Sequence, residues 1–155
     1  MKKWLEKQIV FNGTLRVFAF FAKRKNFTKI TYWATQKAAH LNLFLNKPKL
    51  APNPESLAKS WQNMMPPDGQ KFFKITEVTT DTAYTEIRLH CPLRGTGQVE
   101  ACYKLMNYDR TLMKAIGGEL IVLESQSNSG NNHCKLAIRR KGESIDDLIP
   151  AHHKK

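Results

Sequence analysis

The hydrophobic period changes near residue 70, and that change decides most of what this chain can become. Before it, apolar residues recur every three or four positions, the spacing of one face of a helix. After it, residues 71–79 and 83–90 read as two strands joined near Thr80-Asp81, and 119–126 and 133–140 as two more around a polar turn, Ser127 to Asn132. A long helix is expected between the pairs, from Gln98 to Ile116, stopped at Gly117-Gly118. The expected fold class is α+β: N-terminal helices followed by a β-β-α-β-β antiparallel sheet unit with a long helix packed on it. One domain over 1–145 is expected, with a helical part at 1–66 and the sheet and long helix at 70–140. A polar tail, 146–155, should fray.

In the helical part, residues 3–24 read as one or two segments, broken or loosened at Asn12-Gly13. Residues 28–46 carry Ile30, Trp33, Ala34, Ala38, Leu41, Phe44 and Leu45 at helical spacing, and Asn46-Lys47-Pro48 ends them. Asn53 is the expected cap of the next helix, with Pro54 at its first position and Leu57, Trp61, Met64 and Met65 on one side. Pro66-Pro67-Asp68-Gly69 reads as a turn.

Charge divides the chain at about the same place. The first fifty residues hold eleven of the 25 Lys and Arg and a single acid, Glu6, which is +10 of the total +12. Trp4, Phe11, Phe18, Phe20, Phe21, Phe27, Tyr32 and Trp33 are interleaved with these cations. Such a stretch suits an anionic partner or membrane surface, or else a solvated cationic face above an aromatic core stripe. No zinc finger or RNP motif is present, so nucleic acid is not the expected partner. The longest apolar run, Val17 to Ala22, is too short to span a membrane. Glu6, Gln8, Asn12, Gly13 and Arg16 interrupt any signal-peptide core. Three cysteines do not make a disulfide framework, so a reducing, cytoplasmic setting is expected.

The residues that bear chemistry lie in the second half. Ala83, Thr85, Ile87, Leu89 and Cys91 share one face of their strand, with Tyr84, Glu86, Arg88 and His90 on the other. Cys134 is in phase with Leu136 and Ile138, and Val99, Cys102, Met106, Asp109, Met113 and Ile116 form a stripe on the long helix. A carboxylate inside an apolar stripe must be paired, hydrogen-bonded or functional. Asp109 is therefore read either as structural, pairing near Arg110 or capping loop amides, or as part of a site. Glu124 is in phase with Leu120 and Val122, unless a bulge near Ser125 turns it outward. If these faces meet, Cys91, Cys102, Cys134 and Asp109 converge on one pocket. Three roles stay open for the cysteines: small core hydrophobes, ligands of zinc or another soft metal, or a catalytic thiol. His90 and His133, next to cysteines in strands, point to the opposite faces.

Cys91-Pro92-Leu93, the helical Asp109, Gly117-Gly118, Leu123-Glu124-Ser125 and then Gly130 with Cys134 form an order that resembles the L-2-amino-thiazoline-4-carboxylic acid hydrolase family. The same layout is similar, more distantly, to vinyl-reductase-type small-molecule-binding domains. The resemblance spans about residues 85 to 140. It implies hydrolysis of a C–N bond in an amide-like or ring substrate, with Cys91, Asp109 and Cys134 as the catalytic residues. Where the family tends to carry a cysteine three residues before the helical Asp, this chain has Met106, and Lys135 stands where an acid usually follows the last cysteine. On this reading Cys91 attacks an electrophilic carbon, Asp109 handles protons or orients the substrate amine, and loop amides at Gly95 to Gly97 cradle an anionic group. The candidate ligand-binding residues are Arg94, Gly95, Gly97, Cys102, Met106 and Met113, the two methionines being those that would line an apolar pocket. The alternative is a non-catalytic domain that binds an apolar or tetrapyrrole-like ligand. No cofactor is predicted, a metal stays open, and the expected partner is a small molecule.

Overall fold

The computed structural model describes the backbone of residues 2–66 and 69–154 and the side chains of 9–66 and 70–154. The expected turn at Pro67-Asp68 and the aromatic side chain of Trp4 lie outside those residues. The architecture is α+β. Among the described residues the α-helices are α1 (Lys2–Ala22), α2 (Thr28–Asn46), α3 (Pro54–Met64), the single turn α4 (Gly69–Phe72), α5 (Val99–Leu105) and α6 (Asn107–Ala115). Four strands, β1 (Phe73–Val78), β2 (Ala83–Ile87), β3 (Gly118–Glu124) and β4 (Cys134–Arg140), form one antiparallel sheet in the order β1-β2-β4-β3. The connection through α5 and α6 therefore carries the chain from β2 over to the far edge, and β4 returns to fill the gap between them.

Local chemistry explains most boundaries. The Asn53 side chain accepts a hydrogen bond from the Ser56 amide at 2.8 Å, and Pro54 follows it, so α3 begins with a satisfied end. Lys47 adopts the left-handed conformation at φ 45° and closes α2. The bulge between Val122 and Glu124 turns Glu124 outward, toward Lys135 and Asn131.

Several boundaries differ from expectation. Strand β2 stops at Ile87 where a strand to 90 is expected, which leaves His90 and Cys91 in a loop, and Lys71 and Phe72 belong to α4 rather than to the first strand. Helix α1 runs through Asn12-Gly13 without a break, because Gly13 is exposed and its cost of about 1 kcal/mol is small against the packing of Phe11, Leu15, Phe18, Ala19 and Ala22. The long helix is two helices that meet at Met106, whose ψ of −2° ends α5 and starts α6. The described part of the tail, expected to be loose, makes contacts with the domain. Arg139 forms a two-pronged pair with Asp147, the Lys154 ammonium donates to the Leu123 carbonyl at 2.8 Å, and Ala151 is buried.

The packing is layered. α3 and α6 cover one face of the sheet, and α1 and α2 lie outside α5 and α6. Trp61, Leu57, Leu93, Leu112, Met113, Ile116, Leu136 and Ile138 are fully buried. Trp61 meets Phe73 edge to face at 5.4 Å between ring centres. Met113 packs under the tight approach of Gly118.

Helix α2 is inverted relative to its sequence pattern. Its buried residues are Thr31, Thr35 and Ala39, while Ile30, Trp33, Leu41, Phe44 and Leu45 are half-exposed or more. The stripe read as a possible core face is thus an outer face. The inward hydroxyls are satisfied locally: Thr31 donates to the Phe27 carbonyl at 2.9 Å and Thr35 to the Thr31 carbonyl at 2.8 Å. With these small residues inside, α2 lies against α6, and the Asn107 amide donates to the Thr35 hydroxyl at 3.1 Å.

Candidate functional site

A cavity of about 690 Å³ opens between the outer helices and the end of the sheet. Leu15 and Phe18 come from α1, Ala38, Leu41 and Leu45 from α2, Leu105 and Met106 from the α5–α6 corner, and Phe73, Ile87 and Leu89 from the sheet side. Cys91, Cys102, Cys134 and Asp109 all line it, although they come from a loop, two different helices and a strand. The phases explain the meeting. Cys91 and Cys134 lie on the inward faces beyond and at the ends of β2 and β4, whose ends pair at Ile87 and Cys134. Cys102 and Asp109 lie on the inward stripe of α5 and α6, seven residues apart, across the Met106 corner.

Each polar group in the wall has a distinct environment. The Trp61 indole N–H donates to Asp109 Oδ1 at 2.9 Å. Burial pushes the Asp109 carboxyl up to about 6, against the opposing pull of Trp61 and of the neighbouring Arg110 guanidinium. Tyr108 accepts a hydrogen bond from the Asn42 amide at 2.7 Å, and that amide also donates to the Met64 carbonyl. Burial pushes the Tyr108 hydroxyl up to about 12. Burial likewise raises all three thiols: Cys102 to about 11, Cys134 to about 12, and Cys91 above its ordinary value. Cys91 Sγ accepts from the Leu93 amide at 3.4 Å, and Arg94 and Lys23 favour its thiolate, but desolvation outweighs them. No Lys, Arg or His is among the lining residues described. Nor, among the described residues, do any three His, Cys, Asp or Glu side chains group closely enough to hold a metal ion.

The remaining expected site residues divide between the cavity and other places. Met106 lines the cavity, but Met113 does not: it is spent on the core contact with Gly118 and Leu57. The Arg94 guanidinium donates to Gln126 Oε1 at 2.7 Å and to the Asn132 carbonyl at 2.9 Å, outside the lining. The Gly95 and Gly97 amides do not form an anion cradle, because they donate to the carbonyls of Gln126 and Ser127 at 2.9 and 2.8 Å. Their positive φ, 68° and 69°, shapes the loop for those two bonds.

Sequence reasoning passed over Gln126, Tyr108, Asn42 and Trp61. Gln126 is fully buried and uses every polar atom. Its Oε1 accepts from Arg94 and from the Cys91 amide, and its Nε2 donates to the carbonyls of Leu89 and Ile87. It fastens the Cys91 loop to the end of β3. A buried Gln in a Ser-Gln-Ser stretch has no pattern that distinguishes it from a surface turn. Trp61 was readable as apolar, but not as the donor that Asp109 requires.

No protein-family model matches this chain, no curated protein is significantly similar to it, and no solved structure matches its fold.

Proposed function

We propose that the protein binds an apolar small molecule in this cavity. The observation that carries the reading is the wall itself: about 690 Å³, mainly apolar, with no cation among the described lining residues. That volume lies in the range of sites for drug-sized ligands, which are usually apolar with a few placed polar groups. The placed groups here are the thiols, held neutral by burial, and the Asp109 carboxyl with the Tyr108 hydroxyl beside it. An ionised Asp109 favours a ligand that carries a hydrogen-bond donor, and a free carboxylate on the ligand would find no partner.

The test is titration with N-phenyl-1-naphthylamine, a neutral probe that fluoresces in apolar surroundings. Saturable one-to-one binding is expected, and Ala38→Trp, which places an indole in the lining, should weaken it at least tenfold. Absence of saturation, or full binding by the Ala38→Trp protein, refutes the reading.

A second reading, thiol-based hydrolysis of a C–N bond, is favoured by the shared cavity of Cys91, Cys134 and Asp109 and by the resemblance to the thiazoline-carboxylate hydrolases. Asp109 would take the Cys91 thiol proton as sulfur attacks the electrophilic carbon and pass it to the nitrogen as the C–N bond breaks; water would then cleave the C–S bond, releasing the acid and restoring the thiol. Its weakness is the raised thiol, since the thiolate is the nucleophile. Hydrolysis abolished by Cys91→Ser, with the fold unchanged, would support it over simple binding.

A further inference from the structure

The outer face of α1 and α2 is the second unusual surface of this molecule. On α1, Ile9, Val10, Val17 and Phe20 are exposed by 63, 67, 53 and 52%. On α2, Ile30, Trp33, Leu41, Phe44 and Leu45 are exposed by 50, 62, 60, 71 and 69%. Isolated apolar side chains on a surface need no explanation, but two neighbouring helices that both turn their large apolar residues outward do. The cations fall along the same stripes. By helical spacing Lys37 sits within the α2 stripe and Lys29 on its border, and Arg16 and Lys23 border the α1 stripe; all four are exposed. The Arg24 guanidinium lies over the exposed Phe20 ring, 3.5 Å from its centre. The two stripes meet at the cavity, since Val10, Leu41 and Leu45 are both exposed and part of its lining.

We propose that this face docks onto an anionic lipid bilayer, with the cavity mouth turned toward the acyl chains. Apolar side chains ringed by Lys and Arg are what an interfacial helix needs: the apolar groups enter the headgroup boundary and the cations meet lipid phosphates. No helix among the described residues is long and apolar enough to cross the membrane, so the contact lies in the interface plane. Charge argues against a second copy of this chain. A two-fold interface sets a patch against itself, and the first fifty residues offer only Glu6 to meet eleven cations. Nucleic acid would use the cations but leave Ile30, Leu41 and Phe44 in water. That the ligand enters from the bilayer rests on the binding reading above; the docking itself does not.

The test is co-sedimentation of the ligand-free protein with vesicles of phosphatidylglycerol and phosphatidylcholine, against vesicles of phosphatidylcholine alone. Binding is expected only to the anionic vesicles and should weaken steeply as salt rises. Each cation reversed, in Lys29→Glu and Lys37→Glu, should reduce partitioning about fivefold or more. The double variant Trp33→Asp with Phe44→Asp touches neither core nor cavity lining, and should lose roughly tenfold or more while melting like the parent. The Trp33 part of the emission should shift to the blue on binding. Equal binding to neutral vesicles, or none to anionic ones, overturns the proposal. So does a stable dimer that Trp33→Asp dissolves, or retention by a DNA duplex instead of vesicles, indifferent to Trp33 and Phe44. Because no ligand is present, failure here leaves the probe titration untouched, and failure there leaves docking standing.

Discussion

Asp109 makes stability depend on pH in a direction opposite to that of most protein carboxylates. Folding raises its carboxyl from 3.8 to about 6, so the folded chain holds that proton more tightly than the unfolded one. Stability from this group is therefore greatest below the unfolded value and is lost as pH rises toward 6, after which it is flat. At about 1.4 kcal/mol per pH unit, ionising Asp109 in the folded state costs about 3 kcal/mol at neutral pH. Asp109→Asn removes the charge and keeps an oxygen for the Trp61 indole to donate to. The comparison that isolates Asp109 is variant minus parent, by urea unfolding at several pH values, since other titrating groups cancel. The difference should change by about 2–3 kcal/mol in favour of Asp109→Asn between pH 4 and pH 7, then level off. A difference that stays constant over that interval, or moves the other way, would show that Asp109 is an ordinary stabilised carboxylate and would sink the desolvation argument.

Three further outcomes follow from single contacts. The Thr85 hydroxyl is buried without a partner, so Thr85→Val should raise stability by about 1 kcal/mol, read as a melting point about 2–4 °C higher. A methyl group at Gly118 would lie 2.6 Å from Met113 Sδ and 2.8 Å from Leu57 Cδ2, so Gly118→Ala should cost about 1–3 kcal/mol; an unchanged melt would mean that Met113 swings aside freely. Iodoacetamide at pH 7 should label all three thiols slowly, Cys91 first because it is the least buried, with rates that climb as pH rises. Rapid labelling of one thiol at neutral pH contradicts the neutral-thiol wall.

What was legible in the sequence is what local chemistry controls. Asn53-Pro54 and Asn46-Lys47-Pro48 mark real helix ends because a cap and a stop act within a few residues. The inward facing of Cys102, Cys134 and Asp109 follows from helix and strand periods, whereas Cys91 lies in a loop past the end of β2, where Gln126 holds its amide. What was not legible depends on distant partners. A stripe on α2 shows that one side is apolar, but not whether a core waits on that side; here Thr31, Thr35 and Ala39 win the inner position because α6 approaches there. The Gly95 and Gly97 amides looked free until the carbonyls of Gln126 and Ser127, about thirty residues away, came to meet them. The Met106 corner has no Pro or Gly to announce it.

Helix α2 keeps its two jobs on opposite sides. Its fully buried seam is Thr31, Thr35 and Ala39, while Ile30, Trp33, Leu41, Phe44 and Leu45 point away from the core. Ile30, Trp33 and Phe44, which belong neither to that seam nor to the cavity lining, can thus be exchanged without disturbing either. A lineage carrying this scaffold is free to rewrite where the protein goes while leaving intact what it holds.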